Sequence, residues 1–230
     1  MGLTLKPYLE SRYLTRRRQF RYKGLHLEVE PGVFHPGLFF SSKFLAGFLE
    51  KLDLRNKSVL EMGSGSGLLS LVAARQGACV CAVDISPLAV DTTTANALNN
   101  GLTVAVQQSD LFSNIQPQRF DLIVVNPPYF RGQAADIARH AWYCGDNLEY
   151  FHGLFCAASS FMGPDGVMYM VLSDDCEVAE ITAIAKTNGF DFTEKARKHF
   201  FFEDNFVLAF YPAPAAQLGD DVTGSPLAVA

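Results

Sequence analysis

Short apolar runs alternate with segments of helical spacing along most of this chain, and that alternation restricts the possible folds more than any other feature. Residues 78–84 (ACVCAVD) and 120–125 (FDLIVV) are almost continuously apolar and do not alternate with polar residues. Such runs indicate strands that are buried on both faces, as in parallel sheets with helices on either side. The sequence therefore predicts an α/β fold built on a doubly wound, mostly parallel sheet.

The expected sheet has seven strands. A short polar turn between the last two predicts a hairpin, which leaves one antiparallel strand near the C-terminus. An alternating stretch at 20–34 predicts a further short β-hairpin or edge strand near the N-terminus. The first expected strand contains Val59 and Leu60, and the other six span 78–84, 103–110, 120–125, 167–173, 190–197 and 205–212. The expected helices span 38–53, 68–76, 86–100, 147–162 and 177–189.

The composition fits one globular unit. Of the 230 residues, 49% are hydrophobic and 19% are charged, which excludes general disorder. We assign residues 31–212 to the folded domain, residues 1–30 to a basic N-terminal extension, and residues 213–230 to a tail without predicted structure. The sequence leaves the oligomeric state open.

No apolar run approaches the roughly 20 residues that cross a bilayer, and the N-terminus lacks the apolar core of a signal peptide. We therefore expect a cytoplasmic protein without membrane contact. The five cysteines are odd in number and have no CxxC spacing, and the five histidines are scattered. This pattern favours reduced thiols and predicts no metal site.

The N-terminal extension carries a charge opposite to that of the rest of the chain. Seven basic and three acidic residues give residues 1–30 a charge of +4, whereas the whole chain has a charge of -5. A basic arm on an acidic body is typical of proteins that contact phosphate groups, so contact with RNA or a ribosome is one interpretation. A solvated arm without a partner is the other. The candidate contact residues are Arg16, Arg17, Arg18 and Arg21.

A glycine cluster follows the first predicted strand. Its spacing is G-x-G-x-G, at Gly63, Gly65 and Gly67, and Glu61 stands two residues before the first glycine. Glycines let a ligand approach the backbone closely, and the cluster leads into a helix N-terminus. A carboxylate beside the loop disfavours a pyrophosphate and favours a cationic ligand. Asp84, at the end of the next strand, is placed to accept hydrogen bonds from ribose hydroxyls, and Asp110 and Leu111 follow the third strand.

The segment Asn126-Pro127-Pro128-Tyr129 ends the fourth strand and is the most specific signal in the chain. Consecutive prolines fix their own φ angles and hold the preceding residues extended. The Asn126 side-chain oxygen and the Pro127 carbonyl can therefore accept both N–H bonds of an amide or amino nitrogen, and Tyr129 can stack on the flat group that carries it. A structural turn or a polyproline recognition segment is the alternative interpretation.

The series VLEMGSGSG, AVDISPLAV, SDLF and FDLIVVNPPY resembles the class I S-adenosylmethionine (SAM)-dependent methyltransferases of the N-methylating branch. More narrowly, residues 33–212 resemble the HemK-type glutamine methyltransferases, particularly the short eukaryotic and archaeal release-factor form. The resemblance implies a Rossmann-like fold and SAM as cofactor. It implies Asn126, Pro127 and Tyr129 as the residues that hold the acceptor nitrogen. The implied cofactor-binding residues are Glu61, Gly63, Ser64, Gly65, Gly67, Asp84, Ile85, Asp110, Leu111 and Asn126.

Two features depart from the glutamine methyltransferases. Serines replace an acidic residue in the segment VFHPGLFFSSKF that enters the first helix, and the basic arm replaces an N-terminal helical bundle. The leading hypothesis is methyl transfer to a protein glutamine. Transfer to an RNA or DNA base amino group, such as adenine N6 or guanine N2, is the alternative. An NAD-dependent oxidoreductase and a non-enzymatic scaffold are more distant, because both the glycine spacing and the NPPY segment favour a methyltransferase.

Overall fold

The computed structural model describes residues 16–38, 40–200 and 203–213. Residues 1–15 of the predicted extension and residues 214–230 of the predicted tail lie outside this part of the chain. The strands are β1 (Arg18–Tyr22), β2 (Leu25–Val29), β3 (Ser58–Met62), β4 (Cys79–Asp84), β5 (Ala105–Gln108), β6 (Phe120–Val125), β7 (Met162–Ser173), β8 (Phe190–Phe200) and β9 (Glu203–Pro212). The α-helices are α1 (Phe40–Leu49), α2 (Leu68–Arg75), α3 (Pro87–Asn99), α4 (Glu149–Ala158) and α5 (Val178–Thr187).

The predicted doubly wound sheet is confirmed. Seven strands lie in the order β5-β4-β3-β6-β7-β9-β8, and β9 alone runs antiparallel to its neighbours. The chain moves outward from β3 through β4 to β5 and then returns to β6 on the other side of β3. This reversal is a topological switch point, where parallel sheets bind ligands. Met62 pairs with Val125, so Gly63 and Asn126 leave the sheet side by side.

Helices cover both faces of the sheet. On one face, α4 and α5 pack against β6, β7 and β9 through buried residues such as Phe151 and Phe155. On the other face, α1, α2 and α3 pack through residues such as Leu45 and Leu71. Because both faces are covered, the central strands are apolar along their length, which is the pattern that the sequence showed.

Several element boundaries differ from the sequence expectation. The helix expected over 147–162 ends at Ala158, and β7 begins at Met162 instead of residue 167 because Met162 pairs with Phe120. The first helix is shorter than the expected 38–53, and β5 is shorter than 103–110. β8 and β9 extend further than expected, because they pair with each other up to Phe200 and Glu203. Long-range strand pairing sets these limits, and local sequence does not reveal it.

The β-hairpin expected over 20–34 forms as β1 and β2 and is attached to α3 by two asparagines. Asn96 accepts a hydrogen bond from the Glu28 N–H at 2.8 Å and donates one to the Glu28 carbonyl at 2.8 Å. Asn100 makes the same pair of bonds with the backbone of His26, at 2.9 and 2.8 Å. The two asparagine side chains thus bond the backbone N–H and C=O groups on the open edge of β2. These bonds fix the hairpin to α3.

Candidate active site

The carboxyl ends of β3, β4, β5 and β6 surround one cavity of about 560 Å³. This volume lies within the range of small-molecule and cofactor sites. The predicted site residues line the cavity with one exception, Gly67. Gly67 begins α2 and turns away from the cavity, since a β-carbon there would lie 2.8 Å from Thr93 Cγ2. The prediction that Gly67 binds the ligand therefore differs from its place in the structure, where it packs closely against Thr93 of α3.

The glycine loop is held open toward the cavity. Gly63 and Gly65 have φ angles of 76° and 53°, in the left-handed region that favours glycine. No atom lies within 4 Å of the position that a β-carbon of Gly63 would take. Behind the loop, the Thr93 hydroxyl donates to the Gly65 carbonyl at 3.0 Å. The loop therefore offers bare backbone to a ligand while its rear is fixed to α3.

Glu61 lies beneath the loop and is 3% exposed. Its Oε2 accepts a hydrogen bond from the Ser70 N–H at 2.8 Å, and the Ser70 hydroxyl donates to the same oxygen. Burial raises the pKa of Glu61 to about 8, although these hydrogen bonds act in the opposite direction. The carboxyl group thus caps the start of α2 and also borders the cavity, where a cationic ligand would favour its ionised form.

Asp84 ends β4 and faces the same cavity. Its Oδ2 accepts from the Gly65 N–H at 2.8 Å, and its Oδ1 accepts from the Ser86 N–H at 2.9 Å. Burial raises the pKa of Asp84, and the backbone donors partly offset that shift. A carboxylate has about four acceptor sites, so Asp84 keeps capacity for a ligand. This is the donor-acceptor arrangement that suits a ribose diol.

The turn after β5 supplies the third side of the cavity. Asp110 is exposed and Leu111 is half-buried, with Leu111 in the left-handed region at φ 48°. The Ser109 hydroxyl fixes this turn by donating to the Leu111 carbonyl at 2.8 Å and accepting from the Asn114 N–H at 3.0 Å. Ile85 lines the adjacent wall. A polar and an apolar side chain therefore meet where a flat heterocycle would lie.

The NPPY segment leaves β6 at the switch point. The Asn126 Nδ2 donates to the Ser42 hydroxyl at 2.9 Å, so its Oδ1 is the part of the amide without this bond. The Tyr129 hydroxyl donates to the Val171 carbonyl at 3.4 Å. Burial of that hydroxyl raises the pKa of Tyr129 well above its usual value, and the nearby Ser41 partly offsets the rise. The hydroxyl is thus tied to β7, which leaves the ring to face an acceptor.

Sequence reasoning did not identify several residues of the cavity wall. Phe34, before α1, packs against Trp142 with ring centroids 5.4 Å apart, and both border the cavity. Trp142 belongs to a segment over 130–145 that covers the site and contains a short 3₁₀ helix, Ile137–Ala141. Ser41 and Ser42 also line the cavity. The sequence marks the two serines only as a departure from the resembled family, and nothing local marks Phe34 or Trp142, because their roles depend on contacts between distant parts of the chain.

The described residues contain no helix long and apolar enough to span a bilayer. Within the same part of the chain, no group of three or more histidine, cysteine, aspartate or glutamate side chains is arranged to hold a metal ion.

Comparison with known proteins identifies the family. The methyltransferase small domain model matches residues 24–199. A protein of Methanocaldococcus jannaschii, provisionally named protein N5-glutamine methyltransferase, is 29% identical over 81% of this chain and 95% of its own length. The release factor glutamine methyltransferase of Clostridium acetobutylicum is 29% identical over 89% of this chain and 76% of its own length. The ribosomal RNA small subunit methyltransferase C of Alcanivorax borkumensis is 35% identical, but over 64% of this chain and 45% of its own length.

Solved structures share the fold. The T. thermophilus 16S rRNA N2 methyltransferase RsmC, in complex with AdoMet and guanosine, has a TM-score of 0.66 and 24% identity, over 86% of this chain and 50% of that chain. The E. cuniculi Mtq2–Trm112 complex, described as responsible for methylation of the eRF1 translation termination factor, has a TM-score of 0.62 and 18% identity, over 79% of this chain and 99% of that chain.

The cavity fits SAM on the observations above, since it combines a bare glycine loop, a carboxylate for the ribose and a second carboxyl group beside the loop. The comparisons give no support to an NAD-dependent oxidoreductase. The resemblance to HemK-type class I enzymes is confirmed. The chain belongs to the methyltransferase small domain family and is a methyltransferase that uses S-adenosyl-L-methionine as its cofactor.

Proposed function

We propose that this enzyme methylates a planar nitrogen, and that its substrate is the side-chain amide of a glutamine in a protein. The observation that carries the proposal is the orientation of Asn126. Its Nδ2 is bonded to Ser42, which leaves Oδ1 as the acceptor of the amide, and Asn126 and the adjacent Pro127 both line the cavity. Two adjacent acceptors match the two N–H bonds of a primary amide.

SAM, when bound, supplies a methyl group on a positively charged sulfur. The chain has to orient a nitrogen that is a poor nucleophile because its lone pair is delocalised. Asn126 and Pro127 would accept both N–H bonds and hold the lone pair toward the methyl group. The same oxygens stabilise the positive charge that develops on nitrogen as it reacts, before it loses a proton. The Tyr129 ring would pack against the flat amide.

The choice of glutamine is supported by two of the relatives described above. Both are named as glutamine methyltransferases, and this chain spans nearly the whole length of the archaeal one. The absence of an acidic residue at the start of α1 does not leave Asn126 without a partner, because Ser42 bonds Asn126 directly. Serines therefore occupy the position without removing the hydrogen bond of Asn126.

A second candidate is the amino group of an RNA base, which also presents two N–H bonds on a planar nitrogen. The ribosomal RNA methyltransferase relative and the charge of the N-terminal hairpin favour it. Ion pairs within the protein distinguish among the candidate arginines of the N-terminal extension. Arg17 pairs with Glu28 at 3.1 Å and also with Glu30. Among the described residues, Arg16 and Arg21 have no carboxylate partner, so these two arginines would make the phosphate contacts.

Methyl labelling separates the two candidates. Extract from cells that lack the enzyme is incubated with purified protein and labelled SAM, then treated with ribonuclease or protease. Asn126→Ala protein is the matched control. We expect protease-sensitive label that yields N5-methylglutamine after enzymatic digestion. Ribonuclease-sensitive label would support the base amino group instead. If neither the protein nor the RNA carries more label than in the Asn126→Ala control, methylation of a planar nitrogen is contradicted.

A further inference from the structure

The first turn of α1 contacts Asn126, one of the residues that we assign to the acceptor. Ser42 accepts a hydrogen bond from Asn126 Nδ2 at 2.9 Å, although the two residues are 84 positions apart in the chain. Ser41, the preceding residue, lines the same cavity as Tyr129. The two serines are 2% and 4% exposed, so water does not easily replace the bond between Ser42 and Asn126. They thus form a polar pair on the inner side of a helix whose other buried residues are Leu45, Ala46 and Leu49.

An asparagine side chain does not orient itself. Its terminal torsion is broad and roughly two-fold, so a half turn exchanges the oxygen with the nitrogen at little intrinsic cost. Prolines 127 and 128 fix the backbone beside Asn126 but not this torsion. If the Asn126 side-chain amide rotated by a half turn, its Nδ2 would face the N–H bonds of the acceptor. Two hydrogen-bond donors would then oppose each other. A partner outside the NPPY segment must therefore select the reactive orientation.

We propose that Ser42 is that partner, a positioning residue that holds the Asn126 amide with Oδ1 toward the acceptor nitrogen. The consequence for catalysis rests on the proposed function, whereas the orientation of the amide does not. In this role Ser42 acts through Asn126. Its hydroxyl keeps the productive rotamer populated before substrate binds, which is the preorganisation that enzymes use to stabilise developing charge.

Burial supports a hydrogen-bonding role for this hydroxyl. A hydroxyl taken out of water without a partner destabilises the fold, so a serine on an inner helix face needs a bond. The bond from Asn126 meets this need. A hydroxyl can donate as well as accept, so Ser42 selects this orientation of the amide when its own proton points to a different acceptor.

Two variants of equal shape test the proposal. Ser42→Thr keeps the hydroxyl, and Ser42→Val replaces it with a methyl group. Both side chains are larger than serine by about the same amount, so any effect of size on the packing is the same in the two variants. In protein labelled with ¹⁵N-asparagine, the Nδ2 protons of Asn126 are assigned by their loss in Asn126→Ala. We expect one of these protons to exchange slowly with solvent in the wild type and in Ser42→Thr, and faster in Ser42→Val. This measurement needs neither cofactor nor substrate.

Should both bulky variants fail to fold, Ser42→Ala and Ser41→Ala provide a second matched pair. They remove the same atom from neighbouring buried positions, but only position 42 contacts Asn126. Faster exchange of the Asn126 amide in Ser42→Ala alone supports the proposal. Equal exchange in Ser42→Thr and Ser42→Val, or in the two alanine variants, would overturn it.

The kinetic consequence is measured with the labelled substrate found above. We expect kcat of Ser42→Val to be about tenfold below that of Ser42→Thr, with the same Kd for SAM. Equal kcat values would show that Ser42 has no part in positioning. The exchange result stands apart from this comparison, so failure of the proposed function and failure of the positioning role give different outcomes.

Discussion

The Asp84 carboxylate accepts a hydrogen bond from the backbone N–H of Gly65 at 2.8 Å, which joins the end of β4 to the glycine loop after β3. The other carboxylate oxygen accepts from the Ser86 N–H at the start of α3. One side chain thus fixes the loop, the helix start and the acceptor atoms that suit a ribose. Contacts within the protein therefore hold the cofactor surface in shape.

Asp84→Asn should weaken SAM binding by about 10- to 100-fold, because a bond to a charged acceptor is lost and the amide nitrogen must face a backbone N–H. Isothermal titration calorimetry with SAM measures the change. Asp91→Asn, the same substitution on α3 outside the cavity, is the control. Unchanged affinity of Asp84→Asn would exclude the proposed ribose contact.

Asn126→Ala should lower kcat by about 10²- to 10³-fold and leave the Kd for SAM nearly unchanged. The removed oxygen acts on the acceptor nitrogen, and one preorganised hydrogen-bonding group typically contributes roughly 3 kcal/mol in an active site. Single-turnover rates and SAM titrations on the same preparation give the two quantities. If Asn126→Ala turns over at the wild-type rate, the NPPY segment is a structural turn without a catalytic role.

Glu61 should make the unliganded protein less stable as the pH rises toward 8. Burial raises its pKa from 4.5 to about 8, so between these values the folded state keeps a proton that the unfolded chain has released. The stabilisation is complete below the unfolded pKa and is lost as the pH rises, at up to about 1.4 kcal/mol per pH unit. Glu61→Gln resembles the neutral acid and does not titrate, so its decline should be smaller.

Urea unfolding at about pH 5.5, 6.5 and 7.5 compares the free energies of unfolding of the two proteins. The other titrating groups are the same in both, so the difference between the slopes reports on Glu61. Parallel slopes would contradict a raised pKa at this position.

Gly67→Ala should destabilise the fold more than Gly63→Ala, by about 1 to 3 kcal/mol. Both glycines have similar positive φ angles, 82° and 76°, so the conformational cost is matched. Only the β-carbon at 67 would meet Thr93 Cγ2, at 2.8 Å. Adding Thr93→Ser removes that methyl group and should recover part of the loss. Equal thermal stability of the two alanine variants would contradict this packing role.

Arg16→Gln combined with Arg21→Gln should reduce the salt dependence of RNA binding, if the arm contacts phosphate. Each lost contact lowers the slope of log Kd against log salt by roughly 0.7 to 0.9. Arg17→Gln is the comparison, because Glu28 and Glu30 already neutralise Arg17. Titration of labelled single-stranded RNA at several salt concentrations gives the slopes. Binding that does not depend on salt would show that the arm is a solvated surface.

Local patterns in the sequence predict the doubly wound sheet, its one antiparallel strand and the sheet edge at which the cavity lies. Apolar runs such as 120–125 report burial on both faces, and the ends of β3, β4 and β6 carry residues with narrow conformational requirements. The backbone conformations that glycine and proline allow depend on the residue type itself. The roles of Gly63 and Pro127 can therefore be predicted from the sequence.

The partners of those residues come from contacts between distant segments, which the sequence does not reveal. The tertiary structure brought Ser42 to Asn126, Phe34 to Trp142 and Thr93 to Gly67, in each case from a distant part of the chain. It also moved the start of β7 to Met162, because Met162 pairs with Phe120. These contacts are set by packing between elements, and packing leaves no periodic trace in the sequence of either partner.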